Sequence, residues 1–205
     1  MKAWPDRALR QYCRIFTLII IVMGFFQLSY ASLILTPENE DGQSVVSEIT
    51  VKQVIDVQNQ WAAGIVAIGK AYMNKADYKK LASQLIDELY AYNYENGVVL
   101  FKPTKAKEQP FRKTKASALS YFIGQNETFP EDKGFATHPW IKVVFHNSEM
   151  YFHGDMAIAM GIYDFTDTQG KITSVEYTFG YISDGDGRLK IVLHHSSMPF
   201  NAEII

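Results

Sequence analysis

Cysteine is all but missing from this chain: the single copy among 205 residues is Cys13, inside an N-terminal stretch that reads as a leader. Downstream of it there is no sulfur for a disulfide, a thiolate nucleophile or a cysteine-based zinc site. Positive charge is not in excess either, with 20 Lys and Arg against 22 Asp and Glu and a net charge of −2. An acidic balance of this kind argues against nucleic acid as a partner. Apolar runs long enough for a membrane span are also lacking. The stretch Ile15 to Leu28 falls short of the ~20 residues that a spanning helix needs. Lys2, Arg7, Arg10 and Arg14 precede it and the small residues Ser29 and Ala31 follow it, which is the pattern of a secretory signal peptide over residues 1–31. The expectation is an exported protein, periplasmic or secreted, with no membrane contact after cleavage.

Residues 32–48 include Thr36-Pro37-Glu38-Asn39-Glu40-Asp41-Gly42. These turn formers and acids lack apolar periodicity and read as a linker, leaving a single domain over 49–205. Thr50 can cap a helix in which Val51, Val54, Ile55, Trp61, Ile65 and Ile68 recur at helical spacing as far as about Tyr72. After a break at Asn74 to Asp77, Tyr78, Leu81, Leu85, Ile86, Leu89 and Tyr90 mark a second amphipathic helix. Gly97 opens a short strand, Val98 to Phe101, whose pairing Pro103 limits. The basic segment Lys102 to Lys115 contains Lys105, Lys107, Arg112 and Lys113; it reads as a solvated loop, with attraction of a small anion as its functional alternative. Ser117 to Ile123 forms a short helix closed by Gly124.

Beyond Gly124 the period becomes strand-like in four blocks: Trp140 to Phe152, Met156 to Thr166, Lys171 to Ile182 and Arg188 to Met198. Turn formers at His153-Gly154-Asp155, Asp167 to Gly170 and Asp184 to Gly187 join them as hairpins. Helices followed by a meander give an α+β plan, with N-terminal helices packed on a curved antiparallel sheet and a pocket inside the resulting cone.

Leu193-His194-His195-Ser196-Ser197-Met198-Pro199 ends the last block with four chemically competent side chains. Strand alternation puts His194 and Ser196 on one face and His195 and Ser197 on the other. By the same parity Leu189, Ile191 and Leu193 share the face of His195, while Lys190 and Val192 share that of His194. A mixed face suits a polar cavity, which places His194 and Ser196 inside. The apolar face suits helices or a second subunit, and with the meander aromatics it predicts a homodimer through the sheet.

All five histidines, His138, His146, His153, His194 and His195, follow residue 137, yet none shows HExxH spacing. A metal site would have to form across strands, from His194 with His146 or His153, and a metal-free pocket is the preferred expectation. Two hydroxyls complete the candidates: Thr104 after the short strand and Tyr121 in the short helix. Tyr177, Phe179 and Tyr181 alternate on the third block and read as core or interface.

The HHSS run followed by Met-Pro resembles the signature of the iota-class carbonic anhydrases, which have the cone-shaped NTF2-like fold related to the kinase association domain. The resemblance covers nearly all of the chain from about Ile49 to Phe200 and implies a lyase that converts CO2 and water to bicarbonate. In the metal-independent branch a Thr, a Tyr and the first His and Ser of the run surround bicarbonate, which by motif implies Thr104, Tyr121, His194 and Ser196 here as catalytic and substrate-binding residues. Members of the class have been described both as metal-free and as zinc- or manganese-dependent, so the resemblance leaves the cofactor open; the missing cysteines and zinc spacing make no cofactor the expectation, with zinc or manganese as the alternative. His194 would then take a proton from water, directly or through Ser196, while Tyr121 and Thr104 donate to the oxygens of CO2. Two other functions fit the fold: an oligomerisation or small-ligand-binding module, and a cyclase or isomerase drawing its acid from Asp164 or Glu176.

Overall fold

A computed structural model describes residues 48–184 and 186–201. They belong to a unit running from Val46 to Ile205. The expected signal segment and most of the linker lie outside the described residues. Thr50 caps helix α1, Val51–Met73, through a reciprocal box: the Gln53 backbone N–H donates to the Thr50 hydroxyl at 3.3 Å, and Thr50 N–H donates to Gln53 Oε1 at 2.8 Å. Val54, Val57, Trp61, Ile65 and Ile68 form its buried stripe. Asp77 caps α2, Tyr78–Leu89, by accepting from the Lys80 N–H at 3.0 Å. The third helix, α3, covers Lys115–Ile123, two residues earlier than expected because Thr114 supplies the cap. Gly124, at φ 67°, ends it in a conformation that only glycine adopts readily. Among the described residues no helix is long and apolar enough to cross a membrane.

The meander takes the expected form as β2 Trp140–His153, β3 Met156–Asp167, β4 Ile172–Ser183 and β5 Leu189–Ser197. β1, Leu100–Lys102, adds an edge, giving the order β1-β5-β4-β3-β2. It pairs with β5 in parallel, so the sheet is not wholly antiparallel. A bulge in β2 between Asn147 and Glu149 lies opposite Gly161. A Cβ on Gly161 would sit 2.1 Å from the His146 carbonyl oxygen, so only glycine permits that close crossing. Bulges raise local twist and curl the sheet round α1.

A second bulge decides which residues enter the core. Gly180 pairs with Leu193 but Tyr181 pairs with Ile191, leaving Val192 as the extra residue of β5. Alternation therefore resets at Val192. Leu189, Ile191, His194 and Ser196 are all buried, whereas Leu193 is half-buried and His195 exposed. His194 and Ser196 do face inward, but the parity that put Leu189 and Ile191 on the opposite face is wrong. Ile191, fully buried in the core, cannot be part of a subunit contact.

Trp61 stands at the centre of the core. Its ring stacks on Tyr163 at 5.6 Å and 3° and meets Phe179 and His194 edge-on. Exposed apolar side chains gather instead on the outer face, including Met160 and Ile162 of β3.

Candidate active site

Sheet pairing brings the aromatic walls of the site together. Phe101 of β1 and Phe179 of β4 both lie opposite His194 of β5. Their ring centroids stand 4.5 and 4.1 Å from the imidazole. His194 is 2 % exposed, and burial drives its pKa well below the usual 6.5 because the low-dielectric surroundings disfavour the charged ring, with His195 adding a smaller effect of the same sign. The ring is therefore neutral at neutral pH. Both nitrogens have partners: Nδ1 lies 2.8 Å from the Tyr90 hydroxyl and Nε2 lies 3.4 Å from that of Tyr163.

Ser196, two residues further along the same inner face, has its hydroxyl 2.9 Å from that of Thr104. Both hydroxyls act on the Tyr163 phenol closely enough to lower its pKa against the larger effect of burial, and that phenol is also the partner of His194 Nε2. Tyr121 closes the group from α3. Its ring meets Phe101 edge-on at 5.9 Å, and the backbone of Lys105, the neighbour of Thr104, lies close enough to its hydroxyl to offset part of the effect of burial on its pKa. Burial raises the pKa values of both Tyr121 and Tyr163, chiefly by desolvation of the phenolate, so both phenols keep their protons. Tyr121 also lines a solvent-connected cavity of about 340 Å³ together with Lys105, Asp132, Phe135 and the exposed His138.

Two acids hold the loop that presents Thr104. The Glu131 carboxylate accepts the backbone N–H groups of Lys107, Glu108 and Gln109 at 2.7 to 3.0 Å. These bonds lower its pKa. Asp132 binds the Arg112 guanidinium through two bonds of 3.1 and 2.7 Å and accepts from the Ser120 hydroxyl at 2.5 Å. Arg112 is completely buried, with the Phe129 ring 4.6 Å away. The expected solvated basic loop is thus anchored near its C-terminal end by an internal ion pair.

The structure accordingly gathers all four predicted residues, His194, Ser196, Thr104 and Tyr121, at one end of the cone. It does not bring His146 or His153 to them. His146 points outward to Asp164 at 3.1 Å, and His153 is exposed at the β2–β3 hairpin. The cross-strand metal pairing is not formed, and among the described residues no group of three or more His, Cys, Asp or Glu could hold a metal ion. Asp164 and Glu176 also lie outside, bonded to Ser174 and Ser197 respectively, so neither can serve as a pocket acid. The two carboxylates that do reach the cavity are both engaged, Asp132 by Arg112 and Glu131 by the backbone N–H groups of Lys107, Glu108 and Gln109.

Tyr163, Tyr90 and Trp61 escaped the sequence reading. Tyrosine and tryptophan at core spacing carry no sign of what their polar ends bond. The one available hint was general: a buried Tyr or Trp usually needs a hydrogen-bond partner.

Residues 52–198 match the model of a family described as metal-independent carbonic anhydrase. A protein of Nostoc sp. strain PCC 7120 named metal-independent carbonic anhydrase is 44% identical over 155 residues, which cover 74% of this chain and 75% of that one. The crystal structure of a cyanobacterial iota-carbonic anhydrase complexed with bicarbonate matches with a TM-score of 0.72 at 42% identity, over 75% of this chain and 94% of the other. A calcium/calmodulin-dependent protein kinase II association domain from Xanthomonas campestris gives a TM-score of 0.50 at 21% identity, over 80% and 96%, and shares the fold alone.

Proposed function

This chain belongs to the metal-independent carbonic anhydrase family, and from that premise we propose that it interconverts CO2 and bicarbonate at the cluster of Thr104, Ser196, His194 and Tyr121. The observation that carries the reading is the 2.9 Å bond between Thr104 and Ser196, which joins a loop and a strand end remote in sequence beside a buried neutral imidazole.

The chemistry follows from what burial does to each group. CO2 is electrophilic at carbon, and the negative charge that develops as water attacks falls on its oxygens. Phenols and hydroxyls that stay protonated at neutral pH can donate to those oxygens, and one preorganised donor contributes about 10²–10³ in rate. Tyr121 and Tyr163 meet this condition because burial has raised their pKa values. The directly bonded Ser196 and Thr104 hydroxyls hold the attacking water beside them. The released proton leaves by the cavity shared by Tyr121, Lys105 and the exposed His138. The direction of the two hydrogen bonds on His194 decides whether the ring takes that proton or steadies the donors. The family's metal independence means that activation of water rests on these side chains.

Two further readings accompany this one. The basic and apolar leader supports export, periplasmic or secreted, with residues 1–31 removed. The half-buried Leu193 and the exposed Met160 and Ile162 of the outer face support a homodimer through that face. Stopped-flow CO2 hydration by the purified protein, before and after exhaustive chelation, tests the main proposal. Equal activity in both is expected, and loss on chelation with recovery on adding zinc or manganese would refute it.

A further inference from the structure

We infer that Tyr90 holds His194 in the tautomer that carries its proton on Nε2, which makes Tyr90 a positioning residue and His194 a hydrogen-bond donor to the hydroxyl cluster rather than the base that deprotonates water. The inference deepens the carbonic anhydrase reading and in its catalytic part rests on it. It begins with a group whose direction is not in doubt. An indole N–H can only donate, and Nε1 of Trp61 lies 2.9 Å from the Tyr90 hydroxyl oxygen. That oxygen is therefore an acceptor on the Trp61 side.

Tyr90 is 1 % exposed, so its own proton has no water to turn to. The acceptor within reach is Nδ1 of His194 at 2.8 Å. Were Nδ1 protonated instead, the phenol would face two donors and its buried O–H would be left without an acceptor, incurring the full desolvation penalty of an unmet donor. Nδ1 therefore accepts. A neutral imidazole has one N–H, which must then lie on Nε2. Desolvation keeps the ring neutral, consistent with this assignment.

Nε2 faces the Tyr163 hydroxyl at 3.4 Å, and Ser196 and Thr104 stand close enough to that hydroxyl to influence its pKa. The hydrogen bonds then run one way, from Trp61 on α1 to Tyr90 just past α2, to His194 on β5 and on to Tyr163 on β3. Each donor aligns the next, and the chain ends with the Tyr163 proton aimed at the hydroxyl cluster. In this arrangement Nε2 has no lone pair with which to take a proton from water. The stacked Phe101 ring and the tilted Phe179 ring, in contact with the imidazole at 4.5 and 4.1 Å, prevent it from turning to present Nδ1 instead.

The test uses the full chain labelled with ¹⁵N-histidine. Two-bond ¹H–¹⁵N correlation spectra at neutral pH should show His194 with a protonated Nε2 and a bare, hydrogen-bonded Nδ1. A protonated Nδ1 overturns the inference, and this measurement needs no variant. Tyr90→Phe keeps the ring and removes the hydroxyl. It should populate the other tautomer and lower kcat at least tenfold, while Tyr92→Phe, whose hydroxyl bonds only the Arg112 carbonyl oxygen, changes neither. A Tyr90→Phe protein with the wild-type tautomer, or with wild-type kcat, refutes the positioning role. A wild-type protein that shows the Nε2–H ring yet does not hydrate CO2 supports the tautomer and overturns the carbonic anhydrase reading instead.

Discussion

His194 and His195 are the same residue one peptide bond apart, as are Ser196 and Ser197, yet the members of each pair meet opposite environments. The inner pair is buried, stacked on aromatic rings and tied to Tyr90, Tyr163 and Thr104. Of the outer pair, His195 is exposed and the Ser197 hydroxyl donates to the exposed Glu176 at 3.0 Å. Side-chain chemistry alone does not make a site. Desolvation does, because it keeps the imidazole neutral, keeps the phenols protonated and leaves every buried polar atom dependent on a protein partner.

The sharpest way to break this comparison is to move the boundary between the faces. Ile191 lies in the core and Leu193, two residues on, at the outer face. Ile191→Asp should abolish folding, since an unpaired carboxylate among apolar rings is destabilising by about 4 kcal/mol or more. Leu193→Asp should leave circular dichroism and thermal melting close to wild type and alter only the mass found by light scattering. Equal effects at the two positions would contradict the bulge at Val192.

Next in size is the split between neighbours within the HHSS run. His194→Ala and Ser196→Ala should each lower kcat by about 10²-fold or more, the scale for removing an oriented donor. His195→Ala and Ser197→Ala should leave CO2 hydration near the wild-type rate. Stopped-flow assays on the four variants decide the matter, and similar losses in all four would remove the inner pair's special status.

The clasp beneath Thr104 gives a purely structural effect. Arg112→Leu strands Asp132 in the core with only Ser120 for a partner and is expected to be destabilising by about 3–5 kcal/mol in denaturant titrations. Adding Asp132→Leu should restore part of that loss. A double variant less stable than the single one would show that the pair is not acting as a unit.

The mildest contrast is with acid. The folded pKa of His194 is depressed, so below about 6.5 the unfolded chain binds a proton that the folded chain does not. The stability gained from burying it neutral is complete above that pH and declines as the pH falls, by up to about 1.4 kcal/mol per unit, until the folded ring itself titrates. His194→Phe should lose this dependence and His195→Phe should keep it. Parallel stability profiles for wild type and His194→Phe between pH 7.5 and 5 would contradict neutral burial.

Local signals in the chain were enough for most of the architecture. Thr50 and Asp77 cap helices because their oxygens can accept the free N–H groups of a first turn, and Gly124 ends one because it tolerates positive φ. The polar turns at 153–155, 167–170 and 184–187 interrupt the strand period where the hairpins form. For the site, the HHSS run, Thr104 and Tyr121 were legible through motif and resemblance. Tyr90, Trp61 and Tyr163 were not, since an aromatic at core spacing looks the same whether its polar end is idle or bonded. Arg112 was concealed by the lysines around it.

Sequence by itself thus determined the order of the elements, the absence of cysteine after position 13 and the residue types available for the reaction, because capping, turn chemistry and apolar periodicity act over a few neighbouring positions. Only the tertiary structure decided which side of β5 holds Ile191, that the Tyr90 hydroxyl meets His194, and that Arg112 and Asp132 meet inside the protein. Those outcomes depend on one extra residue in a strand register and on partners from 20 to 104 positions away. Pairing energies and desolvation act between such partners only after the chain has folded, and no local window of sequence contains them.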